Sequence, residues 1–345
     1  MKWSRWIQCL VLSIIAALCV MVAAPDRIPK FEASPPALAP HVNGSTQPSP
    51  MVSIPPPQVD ADQLMSHVEA LAFERYSKDD RQRTRDYLVE VLQSAGWVLQ
   101  AQPYDTGVNL RAQRLGTEPK AGAILVAAHY DSVINSPGAD DNASGVAAVL
   151  EVARLLGDRP TPRTLQIALF DQEEEGLVGS FAYVEQPANL ENLTGVIVLE
   201  MLGYTCHTVG CQRQPNNFTV SPPTDLGDFI TVVGDTEHLP LLKAFEHNHV
   251  TNRPPLLTLS VPLKGILTPI VLTSDHTPFW QKDVGAVMVT DTAFLRNPHY
   301  HRTSDTPETL DRSFFTAVTQ MVVNTTTALL ESRDSLVTGG NSSST

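Results

Sequence analysis

Residues 121–131 read AGAILVAAHYD. An apolar run this continuous suits a strand buried on both faces, as in a parallel sheet covered by helices, and not a strand with one wet face. Its surroundings repeat the theme. Helical periodicity marks 60–73 and 80–96, the second closing at Gly96, and alternating strands follow at 97–104 and 108–115. After the apolar strand come a helix at 142–156, a strand at 163–171, a helix at 177–186 and a strand at 194–201. Further strands are expected at 228–234 and 285–291, with helices near 239–248 and 312–332. Alternating strands and helices predict an α/β domain, a three-layer αβα sandwich around a mostly parallel mixed sheet.

The two ends read differently. Lys2 and Arg5 precede an uncharged apolar run over 7–24, a length between a signal-peptide core and a membrane span. Cleavage after Ala24 would leave Pro25 at the new terminus. Residues 1–24 are therefore expected to be a signal peptide or a retained anchor, and in both cases the body is exported: periplasmic, secreted or membrane-held facing outward. Ten prolines fall between Pro25 and Pro57, so 25–58 is expected to be an extended, disordered linker. The folded domain is expected at 59–332 and a disordered tail at 333–345. A net charge of −13 with no basic stripe excludes a nucleic-acid partner. Any membrane contact would run through the N-terminal segment, and the sequence sets no oligomeric state. Cys206 and Cys211 stand five apart, a small disulfide loop in an exported protein or else two unlinked thiols. The neighbouring His207 lacks the further ligands a zinc site would need.

Ligands of open α/β sheets gather beyond the carboxyl ends of the strands, so each strand exit was read for chemistry. The first gives His129 and Asp131, which strand alternation turns to one side; Asp131 could hold the second nitrogen of a metal-bound His129. The loop PGADDNASG follows, with Asp140 and Asp141, where Asp141 or Asn142 could equally cap the next helix. The second exit, FDQEEEGLVGS, places Glu173, Glu174 and Glu175 in a row, a repulsion that a cation would relieve. The third, IVLEMLGY, puts Glu200 in an apolar strand, where a carboxylate must be paired, protonated or metal-bound. The last loop, RNPHYHRTSDTPETLD, carries His299 and His301.

The order HYDS, GADDNASG, EEEGLVGS, LEMLGY, SDHTPFW, NPHYHRTSDT resembles the co-catalytic di-zinc exopeptidases of clan MH, the secreted bacterial leucyl aminopeptidases and the protease domain of glutamate carboxypeptidase. The resemblance spans 59 to about 332. It implies two zinc ions per chain bridged by Asp141, with His129 and Glu200 completing one site and Glu174 and His301 the other. Glu173 would be the general base and Glu175 a spectator. The chemistry agrees: zinc takes nitrogen and oxygen ligands, two ions sharing a carboxylate acidify a water, and an unbound glutamate beside them can move its proton. One departure is Glu200, where the leucyl aminopeptidases have the shorter aspartate, which bears on which end of a substrate is recognised. Tyr300 is either an oxyanion donor or a packed aromatic. Asp275 and His276 either line a specificity pocket or, as Ser274 or Asp275, cap a helix. The implied function is a zinc-dependent exopeptidase acting on peptides, an aminopeptidase first of all. Two alternatives stand beside it. One is a glutaminyl cyclase-type acyltransferase with one zinc, whose doubled aspartate is broken where GADDNASG here is whole. The other is a transferrin-receptor-like binding scaffold that has shed ligands.

Overall fold

The frame is a mixed sheet in the order β1-β2-β4-β3-β5-β8-β6-β7, seen in a computed structural model that describes residues 56–215, 220–247 and 253–339. The strands are β1 (Gln100–Pro103), β2 (Val108–Arg114), β3 (Ala123–His129), β4 (Thr164–Phe170), β5 (Leu193–Glu200), β6 (Ile230–Asp235), β7 (Leu256–Val261) and β8 (Ala286–Thr290). The central four, β4-β3-β5-β8, run parallel. Strands β1 and β2 join antiparallel at one edge, and β6 is antiparallel to β8 and parallel to β7. The expected targeting segment, 1–24, and the linker up to 55 lie outside the described residues.

All seven residues of β3 are buried, and strand alternation splits them between two layers. Ile124, Val126 and Ala128 face one core with α1 (Ala61–Leu71), α2 (Lys78–Ser94), α3 (Gly145–Leu156) and a long C-terminal helix, Arg312–Glu331. Leu125 and Ala127 face the other, with Phe170, with Tyr183 of α4 (Val178–Val184) and with Phe279 and Trp280. Each fully buried Ile, Leu or Val of this strand contributes about 1.5–3 kcal/mol. The three-layer α/β architecture is the one the apolar run demanded. Further helices include α5 (Leu239–Glu246), α6 (Thr277–Gln281) and α7 (Arg312–Glu331), with a short turn of helix at Pro187–Leu190. Asp60 caps α1 through the amides of Asp62 and Gln63, Ser77 caps α2, and Asp311 caps α7. Gly96 ends the α2 turn at φ 77°.

Three expectations are corrected. The helix expected from 142 starts at Gly145, because Asp141 and Asn142 adopt non-helical backbone and their peptide bond is cis. The strand Leu256–Val261 was missed: it is a half-buried edge strand without a clean alternation. The tail is not free from 333 onward. Leu336 is buried in the core beneath α7, the Asp334 carbonyl accepts from Arg163, and Thr338 bonds Thr236, Glu237 and Leu239. A single leucine in a polar segment gives no periodicity to read. Residues 340–345 lie outside the described residues.

Candidate active site

Because four parallel strands lie side by side, their carboxyl ends open on one edge, and the chemistry gathers there. His129 ends β3 and is paired in register with Phe170, the last residue of β4; Glu200 ends β5 opposite Thr290 of β8. The loops beyond are tightly made. Gln172, Leu177, Met201, Thr292 and His301, none of them glycine, all sit in left-handed backbone, a cost of about 1–3 kcal/mol each that concentrates at functional sites.

Two donor groups form on this edge: His129, Asp141 and Glu200, and Asp141, Glu174 and His301, the ligand atoms of each lying within 4.8 Å of one another. Asp141 belongs to both. Its Oδ1 is 3.4 Å from His129 Nε2 and its Oδ2 3.2 Å from His301 Nε2. Glu200 Oε2 stands 3.5 Å from His129 Nε2, and Glu174 Oε2 3.0 Å from His301 Nε2. His129 is 1% exposed, yet neither of its ring nitrogens has a hydrogen-bond partner among the described residues. Its Nδ1 lies 3.4 Å from Asp131 Oδ1, too long for a good bond. A buried ring nitrogen left open amid carboxylates fits a cation, and the nitrogen-plus-oxygen donor sets fit zinc.

Electrostatics say the same. Burial would raise the Asp141 carboxyl, but the imidazoles of His129 and His301 beside its two oxygens hold it well below the usual range. Burial alone would lower His301, yet Asp141 and Glu174 lift it to about 10. Burial and the Asp141 charge push Glu174 up to about 7. Protons here fill places that positive ions would take.

Glu173 is in neither donor group. It is buried, and burial, opposed by His129 but reinforced by Glu200, Asp275 and Glu174, holds its carboxyl well above the usual range. Asp131 accepts the amides of both Glu173 and Glu174, at 3.1 and 3.2 Å, so it fixes this turn as well as lying beside His129. Glu175 points outward and accepts from Gln172. Tyr300 stacks on His301 with ring centroids 3.7 Å apart, and burial keeps its hydroxyl protonated. His299 bonds Ser304 and takes no part. Cys206 and Cys211 form a disulfide.

Neither Ser274 nor Asp275 caps α6 by its side chain. Ser274 instead donates to Glu200 Oε2 at 2.8 Å, and Asp275, fully buried, is pushed up to about 7 by burial. His276 Nε2 donates to the Val271 carbonyl at 2.8 Å, and its ring packs edge-on against Trp280. Asn142, a candidate helix cap in the sequence, has its side-chain oxygen accept the amide of Gly145 at the start of α3 and that of Met201, and its side-chain nitrogen donate to the Leu199 carbonyl, tying the Asp141 loop to the β5 exit, a role the sequence did not show. Its position beside Asp141 was the available signal. A cavity of about 120 Å³ opens beside Glu200, with a mostly apolar lining that includes Val233, Leu257, Leu259, Val271, Met288 and Phe294.

The model of Peptidase family M28 matches residues 109–326. The Escherichia coli protein YfbL is 33% identical over 273 residues, covering 74% of this chain and 81% of its own. Aminopeptidase YwaD of Bacillus subtilis is 46% identical over 68 residues, which is 20% of this chain and 15% of YwaD. Among solved structures, the aminopeptidase from Aneurinibacillus sp. strain AM-1 superposes with a TM-score of 0.61 at 14% identity, over 81% of this chain and 96% of that one. At that identity the likeness concerns the fold.

Proposed function

Because the chain belongs to Peptidase family M28, we propose that residues 59–332 form a zinc-dependent aminopeptidase that removes N-terminal residues from peptides. The observation that carries this reading is Asp141, which turns one oxygen to His129 and the other to His301 and so serves both donor groups. His129, Asp141 and Glu200 would hold one zinc ion, and Asp141, Glu174 and His301 a second. Such ions supply Lewis acidity, lowering the pKa of a water and drawing charge from the scissile carbonyl.

The protein's own groups do the rest. Glu173 is close to the donor groups but outside them, and its raised proton affinity suits a base that takes a proton from the attacking water and gives it to the departing amine. Water thus adds across the amide: its hydroxyl bonds to the carbonyl carbon, the C–N bond breaks, and the proton that Glu173 took passes to the leaving nitrogen, which returns Glu173 to its carboxylate. Tyr300, protonated and stacked on His301, is placed to donate to the developing oxyanion. Ser274 fixes Glu200. The apolar cavity beside Glu200 suits a large aliphatic or aromatic side chain at the cleaved residue. The name of YwaD supports the amino-terminal direction. The Cys206–Cys211 disulfide supports an extracytoplasmic location; among the described residues no helix is long and apolar enough to cross a membrane.

The test is zinc analysis combined with a panel of free and N-acetylated aminoacyl substrates, with and without chelator. The expected result is two zinc ions per chain and chelator-sensitive cleavage of free-amine Leu and Phe substrates, with blocked ones inert. One zinc ion with cyclisation of N-terminal glutamine would overturn it in favour of the acyltransferase.

A further inference from the structure

The donor groups work only if the Asp141 carboxylate sits between two histidines, one at the end of β3 and one in the loop beyond β8. The segment carrying it, 137–142, is a loop, yet residues 138–142 include five that are buried or nearly so, and a buried loop must satisfy its own backbone. Two residues outside the donor groups do this. On one side, Asp305 takes three consecutive amides: Ala139 on its carbonyl at 3.1 Å, Asp140 on Oδ1 at 3.0 Å and Asp141 on Oδ2 at 3.1 Å. On the other, Arg75 donates to the carbonyls of Pro137 at 2.6 Å, Gly138 at 2.9 Å and Asp141 at 3.4 Å.

Each also bonds the residue that follows a different ligand. The Asp305 amide donates to the Arg302 carbonyl, directly after His301. Arg75 Nε donates to the Tyr130 carbonyl, directly after His129, at 2.8 Å. Its remaining donors go to Leu71 and Phe73 at the end of α1. Asp305 stands four residues after His301 in the same loop. The geometry points to Arg75 and Asp305 as paired positioning residues, which grip the Asp141 backbone from its carbonyl and amide sides and set its distance from His129 and His301; this rests on the metal-centre reading above.

Three further observations support the pair. Arg75 is 1% exposed, and among the described residues its planar fork donates to backbone carbonyls and to no carboxylate. A lysine, with three donors on one point, cannot cover that set. The charges of Asp141, Asp305, Asp131 and Glu174 act on it, so it also offsets part of the acidic cluster. Gly138, at φ 60°, leaves the room: a Cβ there would lie 2.6 Å from Arg75 Nη2 and 2.2 Å from the Asp141 carbonyl.

The experiment uses the full chain and three variants, Arg75→Lys, Asp305→Asn and Gly138→Ala, each stripped with chelator and then titrated with zinc against a chromogenic chelator. Thermal midpoints of the stripped forms and kcat and KM at saturating zinc are read alongside. Residues that orient metal ligands typically change metal affinity or activity by about 10- to 100-fold, so a zinc affinity lowered by that factor is expected. A fall in kcat with KM changed less than about threefold is expected beside it, because misplacement taxes the transition state more than binding. Variants that lose thermal stability but bind zinc as tightly as the parent would overturn the positioning role, as would failure of all three to fold. A parent chain that binds no zinc would overturn the metal-centre reading itself, whereas tight binding by parent and variants alike overturns only the clamp.

Discussion

Glu173 and Glu174 are neighbours of one chemical type, yet their surroundings divide their work. Both amides rest on Asp131, which fixes the turn, and the turn sends Glu174 to His301 and leaves Glu173 beside the donor groups. Glu173→Gln is expected to keep zinc content near that of the parent and to lower kcat by about 10²- to 10⁴-fold, read by metal analysis and steady-state kinetics. Loss of zinc in this variant would exchange the roles of the two residues. Asp141→Ala is expected to weaken both ions together, because one carboxylate faces both histidines; a chelator titration that shows only one weakened ion would refute the bridge. In the sequence, three glutamates in a row were legible as a site, and only the family resemblance, not the residues themselves, implied three different roles. Burial and through-space neighbours distinguish the three side chains, and neither is local.

At the scale of elements, β3 and its neighbours carry both the stability and the site. Apolar residues buried on both faces lock β3 in register, and its carboxyl end then delivers His129 to the same edge as Glu200. The stretch from β3 to α5 was readable because each element buries most of a face or repeats a helical stripe. The edge strand β7 and the C-terminal tail were not, since their burial depends on partners far along the chain. Leu336 is the case in point: it packs against Gly195 of β5, with its Cδ1 3.1 Å from where a Cβ would stand. Leu336→Ala is expected to cost about 2–5 kcal/mol of unfolding free energy in a urea titration, the range for a buried leucine. An unchanged midpoint would return the tail to the free segment expected from its composition.

For the whole molecule, the acidic edge links folding to pH. In the metal-free chain His301 titrates near 10 against 6.5 unfolded, so its contribution is complete below about pH 6.5 and is lost as pH rises through 10. Glu174, Asp275 and Asp305, all pushed up to about 7, add in the same sense: their contribution is present below their unfolded values and fades as pH rises through 7. Asp141, held low, works the other way, and its contribution is lost only on strong acidification. The chelator-treated protein is therefore expected to have a thermal midpoint that falls between pH 5 and 10, and zinc should flatten that slope by replacing protons. A midpoint that rises with pH over this range in the metal-free form would contradict the clustered geometry. The amino-acid sequence by itself determined the layered α/β architecture, the strand exits and the residue types able to hold metal, because hydrophobic period and residue chemistry are local properties. Only the tertiary structure decided that Ser274 holds Glu200 and that Arg75 and Asp305, 230 apart in number, bind the backbone of one loop. Those facts depend on through-space distance, which the chain acquires only when the parallel strands bring their ends together.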